Sequence, residues 1–154
     1  TGSDEERGRL TRVAADLRPL RERLLLLVDR DAAAYEGLIA AFRLPKGSDE
    51  ASAARRAAIE SATRIATEMP LETMRACVEA LRAAVVVAEH GNPNAASDAR
   101  VGVELLIAAL RGSGLNVDVN LGGLKDATYV ERVTAERRQL EADGTADAER
   151  VRHA

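Results

Sequence analysis

The sequence predicts an all-α fold: a multihelical bundle with long central helices. Three observations lead there. Alanine, the best helix former and small enough to let helices pack closely, supplies 30 of the 154 residues. Apolar residues keep a heptad beat through Leu10, Val13, Leu17, Leu20, Leu24 and Leu27, and again through Ala34, Leu38 and Ala41. The one stretch that alternates like a strand, Leu115-Val117-Val119-Leu121, has no evident partner strand, and an isolated strand is not stable.

Each element has its own start and stop signals. Ser3 with Glu6 reads as a capping box, and Asp4, Glu5 and Glu6 suit the positive end of a helix dipole. The first helix then runs to Leu44, ahead of Pro45, bent or broken at Pro19. Ser48 caps a second helix with a seam of Ala54, Ala58, Ala62, Ile65 and Met69. Pro70 is expected to close it and to open a third, whose stripe is Leu71, Met74, Val78, Leu81, Val85 and Ala88. Gly91 stops that helix. Asn94 is expected to cap a fourth, ending at Gly112-Ser113-Gly114 with Val101, Leu105 and Ala108 facing inward. Leu115 to Leu124 reads as a short helix or an extended segment packed on the bundle. Asp126 caps a last helix to about Glu141, and residues 142–154 read as a loose tail of a single domain spanning 1–154.

Composition narrows the function. A net charge of -3, with both signs interleaved, gives no general attraction to nucleic acid or anionic membranes. Three aromatic residues (Tyr35, Phe42, Tyr129) cannot build base-stacking platforms. A single cysteine and two histidines leave no thiolate or multi-histidine metal site, so no metal is expected. No apolar run approaches the roughly 20 residues that span a bilayer, and the expected setting is reducing and cytoplasmic.

The chemistry on offer lies in polar residues at unexpected places. Asp31 falls where the heptad beat of the first helix calls for an apolar residue, and Tyr35 sits one turn on. A carboxylate in a packed seam must be paired, hydrogen-bonded or part of a site. Asp98 repeats the pattern, one step back along the stripe of Val101 and Leu105. Lys46 lies in the turn after the first helix. Asn92, Asn94 and Ser97 crowd one loop and helix start; Asn116 and Asn120 punctuate an apolar segment. Each has a plain structural reading beside the functional one: a neutralised carboxylate, a solvated turn lysine, caps and backbone-bonding amides. Arg55-Arg56 and Arg137-Arg138 read as solvated faces. His90, near a helix end, reads as a dipole partner.

Three blocks carry a resemblance. They are Asp29-x-Asp31-x3-Tyr35 with Leu44-Pro45-Lys46, then Gly91-Asn92-x-Asn94-x2-Ser97-Asp98, then Asn116-Val117-x3-Leu121. In this order they resemble the cyclodeaminase/cyclohydrolase family of folate enzymes, from about Thr1 to Leu140. The resemblance implies a multihelical homodimer with its pocket near the subunit interface, a folate substrate and no cofactor beyond tetrahydrofolate itself. It implies formiminotetrahydrofolate cyclodeaminase activity, with methenyltetrahydrofolate cyclohydrolase as the alternative; a non-catalytic dimerisation module or inactive member is the competing class. Asp31, Lys46 and Tyr35 are the implied catalytic residues. Asp29, Asn92, Asn94, Ser97, Asp98, Asn116 and Asn120 are the implied substrate-binding ones. Family members usually carry a glycine-rich turn and an apolar helix ahead of the position matching Thr1; with no initiator methionine at Thr1, the expectation is that this segment is left out of the sequence, the alternative being a protein that lacks it.

Overall fold

A computed structural model describes residues 3–154; Thr1 and Gly2, where the resemblance begins, lie outside them. Four α-helices run antiparallel in succession: α1 (Asp4–Phe42), α2 (Asp49–His90), α3 (Ala96–Leu121) and α4 (Ala127–His153), with a 3-10 turn at Pro93–Ala95 before α3. Among the described residues there is no strand. No described helix is long and apolar enough to cross a membrane.

Helix α2 is the hub and touches all three others. Its Leu71, Met74, Val78, Leu81 and Val85 interlock with Val103, Ile107, Leu110 and Val117 of α3 and with Val133, Ala148 and Val151 of α4. Helix α1 lies along the other side of α2, burying Leu20, Leu27, Ala34 and Ala41, one residue every second turn. At 39 and 42 residues, α1 and α2 run about 60 Å. The shorter α3 and α4 cover only the two thirds of α2 that follow Thr63, so the α1–α2 hairpin extends beyond them.

The Ser3/Glu6 capping box forms, as do the caps by Ser48 and Asp126. Helix α1 continues through Pro19 to Phe42. Several expectations are corrected. Pro70 does not divide two helices: α2 runs through it. A proline cannot donate to the carbonyl one turn back, here that of Ala66. The Asn120 side-chain amide of α3 donates to that carbonyl instead, at 2.9 Å.

The glycines at Gly112 and Gly114 do not end α3 either. Gly114 is buried inside the helix, beside Arg137 and Met74, where a Cβ would make ordinary contacts of 3.4–3.5 Å. Leu115–Leu121 is the helix's last turns. The inward face of α3 is Val103, Ile107, Leu110, Gly114, Val117 and Leu121, not the stripe of Val101, Leu105 and Ala108, which faces solvent.

Residues 142–154 are no loose tail. They continue α4, with Gly144, Ala148 and Val151 buried in the core. Asn94 caps nothing: Asn92 Oδ1 accepts from the Asn94 N–H at 3.0 Å to cap the 3-10 turn, and α3 starts after Ala95 without a side-chain cap.

Two arginines read as solvated are structural. Arg55 donates from Nε and Nη2 to the Phe42 carbonyl, closing the end of α1. Arg137 bridges Asp118 of α3 at 3.0 Å and Glu141 at 2.7 Å.

Candidate functional site

Asp31 does not sit in a packed seam. Where α1 passes Pro70, the heptad beat rolls its carboxylate onto the rim of an open groove between α1 and α3, exposed to solvent. The groove holds about 380 Å³. Leu24, Leu27, Val28 and Asp31 form one wall, Ser113 and Asn116 the other, and Pro70 and Thr73 the floor. Asp31 makes no ion pair or hydrogen bond with any described residue, so its oxygens are free to accept from a ligand or water. The site therefore offers a carboxylate, an amide and two hydroxyls above an apolar base. That combination suits a flat, nitrogen-rich heterocycle with donors and acceptors along its edge.

The helical surface explains this convergence. Pro70 carries no N–H and so lines the floor without an unmet donor. The Thr73 hydroxyl bonds back to the Met69 carbonyl at 3.1 Å, which leaves its oxygen lone pairs toward the groove side of α2. Ser113 stands between two glycines on the stretch of α3 that sequence patterns read as a helix end, so neither it nor Thr73 was marked as a site residue.

The other marked residues divide into separate places. Tyr35 is exposed one turn beyond Asp31 on the same side of α1. Asp29, two positions from Asp31 and so about 200° round the helix, lies off the groove. Lys46 is exposed in the turn at the far end of the α1–α2 hairpin, past Phe42, which is itself about 16 Å along α1 from Asp31. Asn120 is spent on the Ala66 carbonyl. At the opposite end of the bundle, Asn92 helps line a cavity of about 190 Å³ with Glu89, Arg100 and Val151. Asn94, Ser97 and Asp98 are exposed near it. Asp98 and Asn116 share α3 but stand about 27 Å apart along it. One chain thus joins the Asp31 and Asn116 blocks and holds the Asn92–Asp98 block away.

A polar cluster beside Asp126 escaped the sequence reading. Tyr129 lies between Arg64 and Arg132, whose guanidinium carbons are 5.0 and 5.1 Å from its ring centre, and its hydroxyl donates to Glu68 at 3.0 Å. Burial, reinforced by that acceptor, pushes the phenol up to about 12. Arg75 ties Glu72 to Glu136 in the same region. These groups pin α4 to α2. Burial likewise pushes the Cys77 thiol up to about 11. No cluster of three metal-ligating side chains occurs among the described residues.

A sequence profile of the formiminotransferase-cyclodeaminase family matches residues 2–139. Methenyltetrahydrofolate cyclohydrolase of Methylorubrum extorquens is 41% identical over 132 residues, 86% of this chain and 64% of that protein. Formimidoyltransferase-cyclodeaminase of Gallus gallus is 31% identical over 118 residues, 76% of this chain and 22% of that protein. The chain thus spans less than two thirds of the length of these curated relatives. The fold matches the crystal structure of formiminotetrahydrofolate cyclodeaminase from Thermotoga maritima with a TM-score of 0.88, over 99% of this chain and 72% of that one, at 23% identity. A profile match over nearly the whole chain, joined to 41% identity with a curated relative, shows that the chain belongs to the formiminotransferase-cyclodeaminase family.

Proposed function

We propose that the chain acts on a folate one-carbon amidine, as a methenyltetrahydrofolate cyclohydrolase. The observation that carries this is the 41% identity to the Methylorubrum extorquens cyclohydrolase over 86% of the chain. The free carboxylate of Asp31 on a groove of heterocycle size supports it. The resemblance read from the sequence puts the cyclodeaminase first, with the cyclohydrolase as its alternative. That reading keeps support from the formimidoyltransferase-cyclodeaminases, at 31% and 33% identity in Gallus gallus and Dictyostelium discoideum.

In this reading the cationic methenyl bridge sits over Asp31, whose charge favours it. Asp31 takes a proton from a water as the water adds to the bridging carbon. The tetrahedral carbon then carries one hydroxyl and two folate nitrogens. Asp31 returns the proton to one nitrogen, that C–N bond breaks as the hydroxyl gives up its own proton to the freed Asp31 carboxylate and so to solvent, and the carbon remains on the other nitrogen as a formyl group. Asn116, Ser113 and Thr73 bind the heterocycle's edge. One solvent-exposed carboxylate performs the three transfers in turn, so no second proton carrier is needed beside it. Tyr35 continues the same side of α1 toward Lys46. A folate laid along this line would bring its anionic glutamate end toward Lys46, a role that fits the hairpin tip better than proton shuttling.

The test is spectroscopic. With methenyltetrahydrofolate, the cyclohydrolase reading expects enzyme-dependent loss of the methenyl absorbance. With formiminotetrahydrofolate, the cyclodeaminase reading expects gain of the same band. No change with either substrate would leave the non-catalytic class standing and overturn both.

A further inference from the structure

Asn120 marks the point where α2 and α3 are tied together. Its amide reaches the Ala66 carbonyl at 2.9 Å, and among the described residues no other hydrogen bond or ion pair joins these two helices. The rest of their contact is apolar, with Met74, Val78 and Leu81 against Ile107, Leu110 and Val117. Apolar packing is non-directional. A hydrogen bond fixes both a distance and an angle.

The tie lies one turn from the groove. Helix α3 runs antiparallel to α2, with Gly123 beside the Thr63 methyl, Asn120 on Ala66 and Gly114 beside the Met74 methyl. The same register sets Asn116 level with Pro70 and Ser113 level with Thr73, and these four residues line the groove. Asn116 and Asn120 stand four residues, about 6 Å, apart on one side of α3. Asp118 between them faces the other way, to Arg137 of α4. The groove-bearing stretch is itself a weak helix, interrupted by Gly112 and Gly114 and ended before Gly122 and Gly123. It needs an outside reference to hold Asn116 and Ser113 in place, and α2 provides one at Ala66. Pro70 makes this possible, because without an N–H of its own it leaves the Ala66 carbonyl open to α3.

We propose that Asn120 is a positioning residue for the folate reaction: it fixes the register of α3 on α2 so that Asn116 and Ser113 hold the heterocycle with its bridging carbon over Asp31. This role rests on the folate reading above. Asn120 touches no substrate, because its amide is turned to Ala66 and it does not line the groove. The carboxylate comes from α1 and the edge contacts come from α3, and α2 packs against both. A displacement of about 1 Å between a substrate and the group that reacts with it costs on the order of 10²-fold in rate. A small slip of α3 is therefore read in kcat even where the fold is retained.

The test sets turnover against stability. With whichever of methenyltetrahydrofolate and formiminotetrahydrofolate the wild type converts, Asn120→Ala is expected to lower kcat by about 10- to 100-fold with KM held. Asn116→Ala differs, since its lost edge contact raises KM. Pro70→Ala returns an N–H to the Ala66 carbonyl, so the double variant Asn120→Ala/Pro70→Ala is expected to unfold at the urea midpoint of Pro70→Ala alone. That new N–H belongs to α2 and ties nothing to α3. The double variant is therefore expected to keep a kcat about 10- to 100-fold below that of Pro70→Ala. Asp118→Asn is the control: it weakens a link of the same stretch to α4, away from the groove, and is expected to keep the wild-type kcat.

A wild-type kcat in Asn120→Ala overturns the proposal. So does a double variant whose kcat matches that of Pro70→Ala, which would make Asn120 a structural group only. A rise in KM at unchanged kcat would make it a substrate contact, and an equal loss of kcat in Asp118→Asn would mean that any loosening of α3 has the same effect; either overturns the proposal as well. The wild type separates this role from the reading beneath it. A wild type that converts neither folate removes the folate reading and this role together. An active wild type with any of the outcomes above removes the role alone.

Discussion

The side-chain amide of Asn120 donates to the Ala66 carbonyl that Pro70 leaves without its helical partner. A polar residue of α3 thus repairs a defect in α2, and the repair fixes the axial position of one helix on the other. Replacing Asn120 by Ala leaves a buried acceptor unmet and is expected to cost about 1–2 kcal/mol in urea unfolding. Pro70→Ala restores a backbone donor to Ala66. The cost of Asn120→Ala should therefore shrink in the Pro70→Ala background, a coupling that a double-mutant cycle reads directly. Equal costs in both backgrounds would sink the repair.

Asp31 and Asn116 meet only across the groove, and substitution of either is expected to leave the fold intact because both are exposed. Asp31→Asn removes the base and should lower kcat for methenyltetrahydrofolate by about 10²–10⁴-fold. Asn116→Ala removes an edge contact made equally in ground and transition states, so KM should rise while kcat holds. A wild-type rate in Asp31→Asn, at unchanged thermal stability, would take Asp31 out of the reaction.

The helical class, the caps and the Asp31 block were legible because each leaves a local signature in spacing or residue type. What was not legible depended on contact. Pro70 and Gly114 look like helix ends in one dimension. They are interior because α3 supplies a donor to one and the other packs beside Met74 and Arg137 in the core. The inward face of α3 was misread because two heptad stripes coexist on it, and only packing against α2 and α4 shows which belongs to the chain's own core. The same ambiguity placed Asp31 and Asp98 in apolar seams when both lie at the surface. Alternation at Leu115-Val117-Val119-Leu121 imitated a strand because residues from both stripes interleave there.

Asp126 caps α4 by accepting from the Tyr129 N–H at 3.1 Å and pairs with Arg64 at 2.9 Å. The backbone donor first, then the guanidinium, hold its carboxyl below the ordinary 3.8. In the unfolded chain the group protonates at the ordinary value, so below it the unfolded state binds more protons and stability falls with pH. The contribution is complete above 3.8 and disappears as pH drops through the depressed native value. Asp126→Ala is therefore expected to lower Tm at neutral pH and to melt like the wild type in strong acid. A pH-independent difference between the two would show that Asp126 acts through packing alone.

Pro19 lies exposed in the middle of α1, where the Ala15 carbonyl one turn back can take its hydrogen bond from water. No side chain of α3 compensates it, unlike Pro70. Pro19→Ala restores the intrahelical bond without removing a packing contact. It should raise stability by about 1–3 kcal/mol, seen as a higher urea midpoint. An unchanged midpoint would mean that α1 frays from α2 ahead of the main transition.

The end of the chain is structural because Gly144 lets α4 come close to α2 and α3. A Cβ at that position would stand 2.5 Å from Leu110 Cδ2 and 3.1 Å from Leu81 Cδ1, both in the centre of the core. Valine there must displace one of these leucines, and overpacking of this kind costs about 1–3 kcal/mol. Gly144→Val is accordingly expected to lower the urea midpoint, with Leu110→Ala in the same chain recovering part of the loss by vacating the contested space. Removing residues 142–154 strips Ala148 and Val151 from the same cluster and should expose Cys77 to thiol reagents that do not reach it in the intact fold. If the shortened chain kept its midpoint and its protected thiol, α4 beyond Glu141 would be dispensable, and the closeness of Gly144 to Leu110 would contribute nothing to the core.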